Sequence, residues 1–274
     1  MWSTTKGLWN YFLFRLDPYH HLESKWRGPL AELLGKLAPQ RAERVDKIRM
    51  GGRHDGGYVM LDDLSGIKGA YSLGIGPNVD WDMAIAERGV PVYQYDHTVS
   101  QSPMHHKLFT FQPWRIGTHH DPDAQVVSLP SLICLNHHED TDLILKIDID
   151  GAEWDVFAQI DPDQLKVFRQ ILVEFHALDC VVDTNWRNQA LTALVHLSRH
   201  HQVVHVHGNN LARILVADDV RIPETLEVTF VRRDSYRLVP TAETFPGPFD
   251  RPNSWMFPDF PLGRFRFESH EREK

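Results

Sequence analysis

The side chains best suited to chemistry fall in a few short stretches. Gly74 and Gly76 sit where a strand turns toward a helix, and Asp96 follows twenty residues after Gly76. Glycine permits a tight turn and lets a ligand approach the backbone. An acid at the end of the next strand accepts hydrogen bonds from two ribose hydroxyls. Together they read as a nucleoside half-site at the carboxyl edge of a parallel sheet. Further on, Lys146-Ile147-Asp148-Ile149-Asp150-Gly151 closes a later strand. Side chains alternate along extended chain, so Asp148 and Asp150 are expected on one face. Glu174 and His176 repeat the spacing, as do His205 and His207 ahead of Gly208-Asn209-Asn210. An acid inside an apolar strand such as 171–175 is costly to bury unless it is paired or coordinating.

A dinucleotide fingerprint needs G-x-G-x-x-G, whose third glycine allows close helix–strand packing, and Val79 stands in that place. S-adenosylmethionine carries ribose and adenine without a pyrophosphate, and the spacing fits that methyl donor better than NAD. The acids and histidines of the later strand ends suit either a general base for a hydroxyl or a divalent metal such as Mg or Mn. His176 is the expected base, with Glu174 orienting it or binding metal. The expected metal ligands are Asp148, Glu174 and His207. His205 is assigned a structural place facing the helices. The doublets His105-His106, His119-His120, His137-His138 and His200-His201 lack metal-ligand spacing and are expected in solvated loops or helix ends.

Short β-rich runs alternating with helical stretches must hold these residues, the pattern of a parallel α/β sheet. Strands are expected over 70–73, 90–95, 108–111, 141–149, 171–175, 203–206 and 226–231. Helices are expected after Asp80 as a cap, over 151–160 and over 186–200. Leu30, Leu33, Leu34 and Leu37 stand at helical spacing before Pro39. The organisation is therefore a helical N-terminal extension (1–46), a core domain (47–239) and an extended tail (240–274) in which prolines mix with Phe245, Phe249, Trp255, Phe257 and Phe260. The last six residues, 269–274, are expected to fray.

Bulk composition narrows the class. Hydrophobic residues make 42% of the 274 and charged residues 24%, which excludes a disordered chain or a coiled-coil rod. No apolar run approaches the ~20 residues of a membrane-spanning helix. With 29 basic against 37 acidic residues, nucleic acid is disfavoured as a partner. Cys134 and Cys180 have no paired spacing and suit a reducing, cytoplasmic setting. The stretch 8–13 is too short and too polar for a signal sequence. Two readings stand for it: a short helix packed on the domain or on a second subunit of a homo-oligomer, and weak peripheral membrane contact through Trp9, Tyr11, Phe12 and Phe14.

Several stretches together resemble the FkbM-like class of methyltransferases: GGRHDGGYVMLDD (51–63), SLGIGPN (72–78), YQYDHTV (93–99), LKIDIDGAEW (145–154), LVEFHAL (172–178) and HVHGNN (205–210). The resemblance runs in order over residues 47–233, and the LKIDIDGAEW and E-x-H segments are its most specific parts. It implies a Rossmann-like class I methyltransferase fold, with a mostly parallel seven-stranded sheet and helices on both faces. It also implies S-adenosylmethionine as donor and, most often, a sugar or other hydroxyl as acceptor. Carried over by residue, Gly74, Gly76 and Asn78 would line the methionine and ribose part of the donor. Asp96 would hold the ribose hydroxyls with His97 beside it, Asp148 would lie near the reacting methyl, and Asp55 and Tyr58 would border the same pocket. The family often has Glu where this chain has Asp150. Two other readings compete with an O-methyltransferase. One is a metal-dependent glycosyltransferase using Asp148-Ile149-Asp150 as a D-x-D triplet. The other is a non-catalytic donor-binding scaffold.

Overall fold

The computed structural model describes residues 18–267. The aromatic cluster Trp9 to Phe14 and the terminal 269–274 lie outside the described residues. The main sheet contains β1 (Gly69–Leu73), β2 (Val92–Tyr95), β3 (Phe109–Gln112), β4 (Leu143–Ile147), β5 (Phe168–Phe175), β6 (His201–Gly208) and β7 (Leu226–Arg232). Their order across the sheet is β3-β2-β1-β4-β5-β7-β6. All neighbours run parallel except β7, which is antiparallel to both β5 and β6. Strand order reverses between β1 and β4. In open α/β sheets, ligands bind outside the carboxyl ends of the strands at such a reversal.

Alternation along β4 shows why the sheet is buried on both sides. Leu143, Leu145 and Ile147 join the core cluster that holds the helices α1 (Arg27–Gly35), α3 (Leu129–Leu135), α4 (Glu153–Gln159) and α5 (Thr184–His200). Ile144 points the other way, against α2 (Asp80–Glu87) and a hairpin of Lys47–Gly51 with Gly57–Leu61. The second face is thus covered by one helix, a hairpin and the C-terminal tail rather than by helices alone. Local chemistry sets the helix starts. Asp183 accepts hydrogen bonds from the Asn185 and Trp186 amides at the start of α5, and Ser128 caps α3 ahead of Pro130.

Several expectations need correction. Over 18–46 the chain is not mainly helical: α1 is flanked by the strands Tyr19–His21 and Gln40–Ala42, and the first pairs in parallel with Ile214–Val216. β4 ends at Ile147, and Asp150 turns with φ 56°, so the alternation that was to align Asp148 with Asp150 stops short. Two of the histidine doublets hold a buried member. His138 bonds the Tyr71 hydroxyl at 3.0 Å. His201 opens β6, bonds the Phe168 carbonyl at 2.7 Å, and is pushed down by burial to about 4.

His205 and His207 stand two apart on β6, opposite Thr229 and Glu227, and so share a face, the one away from the main helices. The tail covers that face. Asp250 accepts from His205 Nε2 at 2.8 Å, and Asn253 donates to Glu227 at 2.5 Å. His207 lies between two acids, with Nδ1 at 3.0 Å from Glu227 and Nε2 at 2.9 Å from Asp259. Burial alone would lower its pKa, but Glu227 and Asp259 outweigh it and raise the ring from 6.5 to about 10. A folded-state pKa above the unfolded one stabilises fully below the unfolded value and is lost as pH rises through the folded one. The melting temperature should therefore fall as pH rises from near 6.5 through about 10. In Asp259→Asn it should start lower at neutral pH and fall less, as thermal melts across that range would read.

Candidate active site

The glycine turn is fixed by close backbone approach. Gly74 has φ 78°, and a Cβ there would lie 1.8 Å from the Asp148 carbonyl oxygen. Lys146 Nζ donates to the Gly74 carbonyl at 3.0 Å, and the Asp148 amide donates to Leu73 O at 3.0 Å. Asp82, buried close by, bonds Gln94 at 2.7 Å; burial raises its pKa and the Lys146 charge opposes the rise. Gly76, with φ 51°, has open space where a Cβ would go. The two positions therefore predict different outcomes. Gly74→Ala should leave little folded protein, because backbone must move. Gly76→Ala should fold with a loss of roughly 1–2 kcal/mol from the left-handed conformation. Its melting curve, set beside that of Gly74→Ala, checks this.

Asp96 ends β2 and ties the turn together. Its Oδ2 accepts from the Gly76 amide at 2.8 Å, and its Oδ1 accepts from the Thr98 amide and hydroxyl, both at 2.6 Å. A carboxylate offers about four acceptor positions, so with three filled one remains for a ligand hydroxyl, and a second opens when the Thr98 hydroxyl turns away. Asn78 bridges to the hairpin, donating to Asp55 O at 2.9 Å while accepting from the Asp80 amide.

These groups surround one cavity of about 420 Å³ at the β1/β4 reversal. Gly74, Gly76 and Asn78 line it from the turn, Asp96 and His97 from the end of β2, and Asp55 and Tyr58 from the hairpin. Asp148 lines it from the end of β4. Sequence reasoning missed Trp114, Arg115 and Lys146, which also line it. The volume lies within the ~300–1,000 Å³ range of small-molecule sites.

Asp148 also belongs to a second group at the cavity's end. His176 Nε2 lies 3.8 Å from Asp148 Oδ1 and 3.9 Å from Glu174 Oε1. The Tyr58 hydroxyl donates toward Asp148 at 3.3 Å and Glu174 at 3.5 Å, and Asn209 Nδ2 donates to Glu174 Oε1 at 2.8 Å. The His176 ring is held from behind. Its Nδ1 bonds Glu153 Oε1 at 3.2 Å, which also accepts from the Ile149 amide at 2.6 Å. Trp154, stacked on Phe175, donates to the His176 carbonyl at 2.7 Å. Glu153 is fully buried, and its Oε2 has no hydrogen-bond partner. Glu153 stands in the LKIDIDGAEW stretch, but no spacing in the sequence ties it to His176.

Electrostatics in this group favour proton storage. Burial and the charge of Asp148 raise Glu174 well above its ordinary 4.5. Burial would lower His176, but the Glu153 hydrogen bond and the charges of Glu153, Glu174 and Asp148 hold it well above 6.5. Burial, Asp148 and Glu174 keep Tyr58 a neutral phenol. The ligand atoms of Asp148, Glu174 and His176 all lie within 4.8 Å of one another, a set able to hold a metal ion. His207 is not in this group. β7 inserts between β5 and β6, so Glu227 stands opposite both Glu174 and His207, and both His207 nitrogens are taken by acids. His176 stands where His207 was expected.

Residues 67–189 match the family model described as the methyltransferase FkbM domain. The match runs from before β1 into α5 and leaves the hairpin, β6, β7 and the tail outside it. The chain matches no curated protein. Among the described residues, no helix is long and apolar enough to cross a membrane.

Proposed function

Since the chain carries a methyltransferase domain of the FkbM family over residues 67–189, a family that uses S-adenosylmethionine, we propose that it methylates a hydroxyl of a sugar or glycan. One observation carries this reading: Asp148 belongs both to the donor-sized cavity and to the half-buried acid–imidazole group. A donor in the cavity would present its methyl beside groups able to take a proton.

The bound donor supplies an electrophilic methyl on sulfonium sulfur; the protein supplies position and electrostatics. Asp96 would accept hydrogen bonds from the ribose hydroxyls, and the open space at Gly76 would admit the rest. A sugar hydroxyl is a weak nucleophile at neutral pH, so a base must take its proton. His176 Nε2 faces Asp148 and Glu174 and accepts that proton, while Glu153 fixes the ring through Nδ1. The three carboxylates stabilise the imidazolium that results.

A second reading is favoured by the three converging ligand atoms. A divalent ion held by Asp148, Glu174 and His176 would act as a Lewis acid on the hydroxyl. One nitrogen and two carboxylates suit such an ion.

The test is calorimetric titration with S-adenosylhomocysteine, with NAD and UDP-glucose as controls, followed by a screen of glycan acceptors with and without chelator. Micromolar binding of S-adenosylhomocysteine alone, about -8 kcal/mol, supports the reading. Binding of UDP-glucose alone would favour the D-x-D alternative, and binding of neither would favour a scaffold. Turnover lost to chelator and restored by Mn would select the metal reading.

A further inference from the structure

A second cavity, of about 550 Å³, lies between the segment after Gln40–Ala42, β6 and the start of the tail. It shares no lining residue with the donor cavity. Arg41 and Arg44 stand at it exposed, and among the described residues neither guanidinium has a hydrogen-bond or ion-pair partner. Lys47 also lines it, but its ammonium is paired with Glu243 at 2.6 Å and sits over the Phe245 ring. Asp46 is the other acid, so cations exceed acids. The rings of Phe245, Phe249 and Pro246 give it apolar walls.

His205 adds a specific demand. It lines the cavity and is 3% exposed, yet its Nδ1 is buried with no hydrogen-bond partner. Because Nε2 donates to Asp250, the neutral ring offers Nδ1 as an acceptor. Burial lowers the pKa of His205, which favours that neutral ring. A buried polar atom left unpaired is costly, so a donor from a ligand would be rewarded.

Two free guanidinia seek an anion, the orphan imidazole nitrogen seeks a hydroxyl, and the ring walls accept C–H faces. We propose that this cavity binds a hydroxyl-bearing organic anion, a sugar phosphate or a sugar acid, at a site separate from methyl transfer. The proposal does not rest on the methyltransferase reading.

The experiment is titration of the full chain with glucose 6-phosphate, glucuronate, glucose and inorganic phosphate. At least one of the two sugar anions should bind in the sub-millimolar range, and glucose and phosphate far more weakly. The double variant Arg41→Gln/Arg44→Asn alters two exposed side chains, and asparagine tolerates the left-handed backbone of residue 44. It should weaken the sugar anion about tenfold or more, the loss of one charge-assisted pair. Affinity for S-adenosylhomocysteine should be unchanged in that variant. Four results would each overturn the proposal: no sugar-anion binding up to ~10 mM, glucose binding as tightly as its phosphate, unchanged affinity in the double variant, or competition between the sugar anion and S-adenosylhomocysteine.

Discussion

Replacing Asp96 with alanine is expected to weaken S-adenosylhomocysteine binding by about two to four orders of magnitude while the chain stays folded. Two hydroxyl bonds to a carboxylate would be lost, at roughly 1.5–3 kcal/mol each, and every 1.4 kcal/mol is tenfold in affinity. The side chain also holds the Gly76 amide and Thr98, so the turn loosens as the ribose contacts vanish. Asp96→Asn keeps one acceptor oxygen and should fall between wild type and alanine. Calorimetry reads the affinity, and a thermal melt separates a lost contact from a lost fold. An alanine variant that binds as tightly as wild type would remove Asp96 from the donor site.

The second large effect should come from His176. His176→Gln should lose about 10²–10⁴-fold in turnover, the usual contribution of a positioned base. Affinity for S-adenosylhomocysteine should stay within a few-fold, because the ring lies beyond the cavity lining. The pH profile carries a sign. The base must be neutral imidazole, and its pKa is held above the ordinary 6.5, so the rate falls as pH drops through that raised value. The rising limb should therefore lie on the alkaline side of 6.5. Glu153→Gln keeps an acceptor for the Ile149 amide but removes a charge that supports the imidazolium, so the limb should move to lower pH. A wild-type limb on the acid side of 6.5 would remove the His176 imidazole as the base.

How much of this was legible depended on distance along the chain. The glycine turn and Asp96 belong to one β1–α2–β2 unit, and a twenty-residue spacing was enough to place them at one sheet edge. Glu174 and His176 lie at the end of one strand and were found together for the same reason. His207 was misplaced because its distance from Glu174 depends on strand order, and β7, which separates them, comes later in sequence than both. Glu153 lies on a helix, where the strand alternation used to find acids does not apply. The tail's prolines and aromatics predicted packing, but not the partners. Asp250 meets His205 across 45 residues, and Asp259 meets His207 across 52. No local periodicity encodes such pairs.

The position of β7 also dictates an order of events during synthesis. Among the described residues β6 has a single neighbour in the main sheet, and that neighbour is made after it. Chains emerge from the ribosome N-terminus first, so residues 201–208 leave the exit tunnel with no strand in that sheet to join. A nascent chain arrested before residue 226 therefore presents an unpaired strand, the kind of edge that recruits other chains. Once β7 inserts, His205, Glu227 and His207 still face outward until Asp250 and Asp259 arrive. Chaperone protection would thus matter most from the emergence of β6 until Asp259 has been made, after the residues lining the cavity at the β1/β4 reversal.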